Sequence, residues 1–539
     1  MRTRNVRDGI RGKCHVAIVL GLILAVLGYS QTEEANAGVV KKATATPTAT
    51  PTSTPRTKQL RSTPGATPTP CTTTSWYVSP EGSDSNYGSE PDSGHAWRTL
   101  QYAVDHVPAG GTIFVATGSY GENVSITSSG GANAGCRKEI TSYDGGDPIT
   151  SSFTITASYW TVDSQEMTNQ ANLKGIYVDG SAAFDTISNN YVHELCRDGI
   201  FTDSGTSNIT VSGNRVYHAQ MSGITISGAN GLVVGNEIWY TLDKPWLAGG
   251  IYSSCIDPYP TGVGDDADYV RYFGSGHVIS ANNLHDIPVN YAAGGPIGQY
   301  APHTDCFQTW NDGQTTQNIL IERNRCIAPA PYYQAAGNVS CTASGVPYAC
   351  CTGNNRGTCP SGTGGNQIGN TAAVSGTLTF QDNLFTNLYH GIQIVSGSPT
   401  LRIWNNTFDH IALEAVEIDI ATPSGTAIKN NIFYDCGDNM SSYLCAQDNK
   451  PALATNVFTM RTGSTGTYAC GYKGAPPFID NDPRFVDSGT LPALNDADYH
   501  LQSESPDLDN GVNLPSVTND YYGVTRPCNT GNSIGAACE

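Results

Sequence analysis

Charge is scarce in this 539-residue chain: Asp, Glu, Lys and Arg together make up 14%. A polypeptide so poor in Lys and Glu lacks the residues that cover exposed helix faces, which excludes a mainly helical architecture. Basic charge is scarcer still, 28 Lys and Arg against 47 Asp and Glu, for a formal net charge of −19. Such a surface repels nucleic acid, whose affinity depends on Lys and Arg neutralising phosphates. It also repels a polyanionic sugar unless Ca²⁺ or a local basic patch intervenes. Long apolar runs are missing too. Val16 to Gly28 falls short of the roughly 20 residues a membrane helix needs. It follows Arg2, Arg4, Arg7, Arg11 and Lys13 and precedes Ala35-Asn36-Ala37, so residues 1–37 read as a secretory signal peptide. The expected location is secreted, extracellular or cell-surface, with no membrane span after cleavage; an uncleaved anchor is the alternative.

Glycine, by contrast, is abundant, with 59 residues, and there are 16 cysteines. The first suits many short strands joined by tight turns. The second, in an exported chain, implies disulfides. Removing the signal leaves an odd number of cysteines, so one is expected outside any pair. Cys436–Cys445 and Cys528–Cys538 are plausible local pairs, and Cys341, Cys350, Cys351 and Cys359 read as a stapled loop. Residues 38–74 form a linker: Thr, Ala and Pro alternate there, and Pro blocks ladder hydrogen bonds.

From residue 75 a repeat takes over. The pattern apolar-x-x-Asn-x-apolar occurs at Ile187…Asn190…Val192, Val211…Asn214…Val216, Val233…Asn236…Ile238 and Ile279…Asn282…Leu284. It recurs at Ile321…Asn324…Cys326, Phe380…Asn383…Phe385, Ile403…Asn406…Phe408 and Ile428…Asn431…Phe433. Uninterrupted copies lie about 22 to 25 residues apart, a period that marks a solenoid. The spacing predicts strand, turn, strand, with Asn at the turn. A second mark precedes each Asn, a Gly followed by an inward apolar residue: Gly175-Ile176, Gly199-Ile200, Gly223-Ile224, Gly250-Ile251 and Gly391-Ile392, with Cys306-Phe307 and Ala415-Val416 in the same place. Each coil therefore carries at least two short strands that pair with the coils above and below. Together these features predict an all-β, right-handed parallel β-helix with long loop insertions in its middle coils.

The ends add a resemblance. Trp76-Tyr77-Val78-Ser79-Pro80, Gly82-Ser83-Asp84, a short amphipathic helix from Trp97 to His106, then Gly110-Gly111-Thr112-Ile113-Phe114-Val115 and Gly118-Ser119-Tyr120 resemble the N-terminal cap of bacterial pectate-lyase-like β-helix proteins. Pro483-Arg484-Phe485-Val486-Asp487, Ser505-Pro506-Asp507-Leu508-Asp509-Asn510-Gly511 and Ile534-Gly535-Ala536-Ala537-Cys538-Glu539 resemble their ending. The resemblance implies a secreted β-helix over 75–483 with an N-terminal capping helix and a C-terminal cap segment over 484–539. It implies no particular reaction, because function on such folds lives in the site.

Chemistry is expected where the repeat breaks. Asn236 and Asn282 are 46 residues apart, Asn282 and Asn324 are 42, and Asn324 and Asn383 are 59. Inserts expected over 252–277, 286–305 and 328–376 would rise as walls of one groove. His303-Thr304-Asp305-Cys306-Phe307-Gln308-Thr309-Trp310 lies there. Alternation turns Phe307 inward and Gln308 outward, in a column with Tyr252, Gln393 and Glu417, and sets Asp305 in a turn column with Asp198, His390 and Glu414. His303, Asp305 and Gln308 are the candidate catalytic residues; a polar turn that steadies an insert is the bland reading. Trp310, Tyr252, Arg323, Lys244, Gln393 and Glu417 are the candidate substrate contacts, since aromatic rings stack on sugars and amides or charges take hydroxyls. Lys244, Arg271 and Arg323 could serve as a lyase base. Asp257, Asp265, Asp266 and Asp268 could hold Ca²⁺, or form a solvated acidic loop. Tyr240, Trp246, Tyr252, Tyr259, Tyr269, Tyr272, Tyr291 and Tyr300 crowd the inserts and favour sugar contact. His193, Tyr217, Trp239 and His285 are expected to form an exterior aromatic ladder. The paired-carboxylate elements of polygalacturonase-type hydrolases and the pectate lyase "vWiDH" signature are missing. Two functions follow: a polysaccharide lyase, epimerase or glycoside hydrolase using the central groove, or a non-catalytic extracellular β-helix that binds glycan or serves as a stalk.

Overall fold

The Asn repeat sets the architecture. In the computed structural model, the described residues are 71–131, 136–169, 173–241, 268–286, 304–327, 363–368, 374–388, 390–411, 414–421, 423–436, 438–440, 452–454, 456–460, 478–479, 482–487, 497–528 and 531–538. Their strands stack into three parallel sheets of a right-handed β-helix. Among the described residues, sheet 1 has 13 strands, sheet 2 has 12 and sheet 3 has 11. Each coil visits the sheets in turn, so strand Thr210–Ser212 in sheet 1 leads to Arg215–Ala219 in sheet 2 and Ile224–Ile226 in sheet 3. Inward columns pair like with like: Ile187, Val211 and Val233 in sheet 1, and Ile176, Ile200 and Ile224 in sheet 3. All six are fully buried. In sheet 2 the inward column ends in stacked rings, Phe385, Phe408 and Phe433, with centroids 5.2 and 5.1 Å apart.

The turn between sheets 1 and 2 holds the Asn ladder. Each Asn uses both ends of its amide. Asn282 Nδ2 donates to Val233 O at 3.0 Å and to Asn324 Oδ1 at 2.9 Å, while its Oδ1 accepts from the backbone and side chain of Asn236, each at 2.9 Å. The same links run from Asn190 to Asn456. Asn456 is a rung the pattern had not counted, although Leu453…Asn456…Phe458 fits it.

At the N-terminal end, helix Leu100–His106 lays Leu100, Ala103 and Val104 over the first coil. Thr99 caps it, and Glu122 accepts the N–H groups of Leu100 and Gln101 at 2.9 Å, placing a carboxylate at the positive helix end. Cys71 and Cys136 form a disulfide there. The described part of the C-terminal segment contacts the coils from the side. Asn405 Nδ2 donates to Ser533 O, Asn430 Nδ2 to Val512 O, and Tyr499 Oη to Asp409 Oδ2 at 2.6 Å. Arg526 meets Asp382 at 3.0 Å, both side chains 1% exposed. Burial pushes the Asp382 carboxyl well above the usual carboxylate range, and Arg526 pulls the other way. Cys528–Cys538 is a disulfide. Cys436 is buried, its Sγ 3.6 Å from Phe408 O, while Cys445, its expected partner, lies outside the described residues. The loop cysteines from Cys341 to Cys359 lie outside the described residues. Among the described residues no helix is long and apolar enough to cross a membrane.

Candidate functional site

Two outward-facing columns of sheet 3 form the site. The first runs, in register, Asp198, Ser222, Asp268, Asp305, Gly364, His390, Glu414. The second runs Tyr177, Phe201, Thr225, Arg271, Gln308, Gln367, Gln393, Glu417. Gln308, Gln393 and Glu417 thus fall where alternation puts them, and Asp305 keeps its expected column but lies within the strand Thr304–Thr309 rather than at a turn before it, while Arg271 takes the place expected of Tyr252. The cause is the strand Val270–Tyr272, which follows the insertion rather than preceding it. The Gly250-Ile251 mark therefore misassigned this coil. The span 328–376 likewise contains a sheet 3 strand, Thr363–Ile368.

Four side chains meet where the columns cross the middle coils. Arg271 Nε donates to Asp268 Oδ2 at 2.8 Å. Asp268 Oδ1 accepts the Asp305 N–H at 2.9 Å. Gln308 Nε2 lies 3.4 Å from Asp305 Oδ2. All four residues are buried, Asp268 completely. The Arg271 guanidinium also sits over the Trp310 ring, 4.8 Å from its centroid, and Trp310 meets Phe273 edge-on at 4.8 Å. Beside them opens a groove of about 310 Å³, lined by Phe201, Asp203, Thr225, Arg271, Trp310 and Asp312 among others. That volume is at the small end of ligand pockets, roughly 300–1,000 Å³. Two coils on, Glu417 Oε2 accepts from Gln393 Nε2 at 2.8 Å and lies 3.3 Å from His390 Nδ1. Towards the N-terminal end, Lys174 Nζ covers the rings of Tyr177 and Phe201 at 3.9 and 3.5 Å.

Several candidates sit elsewhere. Arg323 occupies the turn between sheets 1 and 2, with φ of 52° and Nη2 2.9 Å from Ser280 Oγ, so it is not on the groove floor. Tyr269 and Tyr272 are wholly buried core residues rather than sugar contacts; Tyr269 Oη donates to His285 O at 2.7 Å. Asp268 spends both oxygens on protein partners and, among the described residues, joins no cluster of carboxylate, His or Cys groups spaced for a metal. His303, Tyr252, Lys244, Asp257, Asp265 and Asp266 lie outside the described residues. The exterior ladder forms on sheet 2, with His193, Tyr217, Trp239 and His285 in register and the Trp239 and His285 rings 4° from parallel. His277 is a buried core residue: Nδ1 accepts from Gly231 N–H and Nε2 donates to Phe273 O. The central place of Asp268 and Arg271 was the part hardest to read, since neither carries a repeat mark.

Comparison with known proteins bears on the fold. No curated protein sequence matches the chain. The crystal structure of pectate lyase Pel9A aligns at 16% identity over 86% of this chain and 95% of that one, with a TM-score of 0.45. The structure of XylC with xylose aligns at 11% identity over 86% and 98%, with a TM-score of 0.51. A rhamnogalacturonan lyase aligns at 12% identity over 77% and 91%, with a TM-score of 0.41. Residues 116–259 match the family described as "Right handed beta helix region".

Proposed function

We propose that this is an extracellular glycan-processing protein that binds a saccharide chain along sheet 3 and modifies it at Asp305 and Gln308. The carrying observation is the buried Arg271–Asp268–Asp305–Gln308 chain of contacts, set beside an open groove walled by Trp310 and Phe201. Aromatic walls bind the apolar faces of sugars, while a carboxylate held by neighbours in a desolvated place suits proton transfer. Asp268 and Asp305 come from adjacent coils, about 4.8 Å apart. Asp268, with both oxygens engaged, acts here as the residue that orients Arg271 and Asp305. The expected signal peptide and the disulfides fit a substrate outside the cell, and the fold likeness to a structure solved with xylose is consistent with a saccharide.

The test is a polysaccharide panel on the full chain, read by absorbance near 235 nm for elimination and by reducing ends for hydrolysis. Asp305→Asn should lower turnover by about 10²–10⁴-fold, the usual span for a lost acid–base group, with the thermal midpoint unchanged. A chain that is silent on every substrate, or an Asp305→Asn variant that unfolds early, would leave a non-catalytic β-helix as the answer.

A further inference from the structure

A second groove lies on a different face. Two outward columns of sheet 1 form its floor: Leu320, Thr379 and Arg402 in one, Glu322, Gln381 and Trp404 in the other. Ser516 of the C-terminal segment makes a wall, and the volume is about 310 Å³. The floor is polar and organised. Gln381 Nε2 donates to Glu322 Oε2 at 2.9 Å, and Arg323 lies 3.4 Å from Glu322 Oε1, so the one acid of this floor is already engaged. Arg402 is exposed, and its guanidinium sits 5.2 Å from the centre of the Trp404 ring. Lys429 pairs in register with Trp404 on the next coil. The Trp404 indole N–H is buried and makes no hydrogen bond among the described residues. A buried donor left unmet costs roughly 1–3 kcal/mol, so it persists only where something compensates.

We infer that this sheet 1 groove is a second binding site, for a saccharide bearing a carboxylate or sulfate. The reasoning is one of contrast. The chain carries a net charge of −19, yet Arg402 and Lys429 flank a tryptophan here. A guanidinium over an indole is a platform for a flat sugar ring, and the two cations select an anionic one. An anion that draws the Arg402 side chain outward also gives the indole N–H an acceptor. Because the C-terminal segment supplies a wall, the site exists only when that segment is docked. It stands apart from the sheet 3 groove and does not depend on any reaction there.

Isothermal titration of the full chain with tetragalacturonate, a sulfated tetrasaccharide and neutral cellotetraose tests it. One or both anions should bind, at least tenfold tighter than cellotetraose and more weakly as salt rises; which one binds identifies the group recognised. Arg402→Gln, at an exposed position, should weaken binding tenfold or more, and Trp404→Phe, which keeps a ring but removes the N–H, at least threefold. The thermal midpoint of Arg402→Gln should match the parent. No anion binding, equal binding of cellotetraose, or affinity unchanged in Arg402→Gln overturns the inference. Binding lost in Arg271→Gln but kept in Arg402→Gln would assign the saccharide to sheet 3 instead.

Discussion

At the scale of single residues, the Asn ladder and one histidine carry the sharpest consequences. Asn282→Ala removes four hydrogen bonds at once and strands Val233 O and the Asn236 N–H in a dry turn. Each stranded group costs about 1–3 kcal/mol, so the substitution should lower unfolding free energy by about 3 kcal/mol or more, read from urea midpoints. His277 acts through pH. Burial pushes its pKa down to about 4, the bonds to Phe273 and Gly231 offsetting part of that. The unfolded chain, near 6.5, therefore takes up a proton before the folded one does. The contribution of His277 should be constant above pH 6.5 and fall as pH drops from there to 4, by up to about 3 kcal/mol at 1.36 kcal/mol per unit. His277→Asn should flatten that dependence. His285 has the opposite sign: burial pulls its pKa down, but Asp286 and Glu237 more than reverse this, so its contribution is complete below pH 6.5 and lost as pH rises through the raised value.

Among elements, the coil that carries Asp305 is tied across the core. Cys306, at the start of a sheet 3 strand, is bonded to Cys326 in sheet 2, and both are fully buried. The bridge closes a 20-residue loop, worth about 3 kcal/mol in the chain-entropy account. Cys306→Ala with Cys326→Val should lower the denaturation midpoint accordingly, and a reductant should lower the midpoint by more in the parent than in the variant, which keeps Cys71–Cys136 and Cys528–Cys538. This scale also decides what the sequence disclosed. The ladder was legible because each Asn repeats at fixed distance from two inward apolar residues, and that spacing fixed Asp305 and Gln308 on their faces. Arg271 was not placed, because Tyr269-Val270 lacks the Gly-apolar mark and Gly250-Ile251 has it. A short apolar pair is locally indistinguishable from a strand; which pair joins the sheet depends on neighbours above and below. Tyr269 and Tyr272 misled for the same reason, as large rings read as loop contacts until the coil that buries them is known.

Over the whole molecule, stability in a stack of coils comes from nearest neighbours. The C-terminal segment departs from that rule by touching Asp382, Asn405 and Asn430 on three successive coils. Arg526→Met would leave Asp382 without its partner and the carbonyls of Ser533 and Gly535 without their donor, at about 1–3 kcal/mol for each stranded group. Limited proteolysis should then cut within 499–538 sooner than in the parent, while cleavage near the N-terminal helix stays the same. A rope tied only strand to strand peels from its loose end. Here the trailing chain is lashed back over three turns of its own coil, so that end cannot fray one loop at a time. Under tension it should hold, then release several turns in a single step.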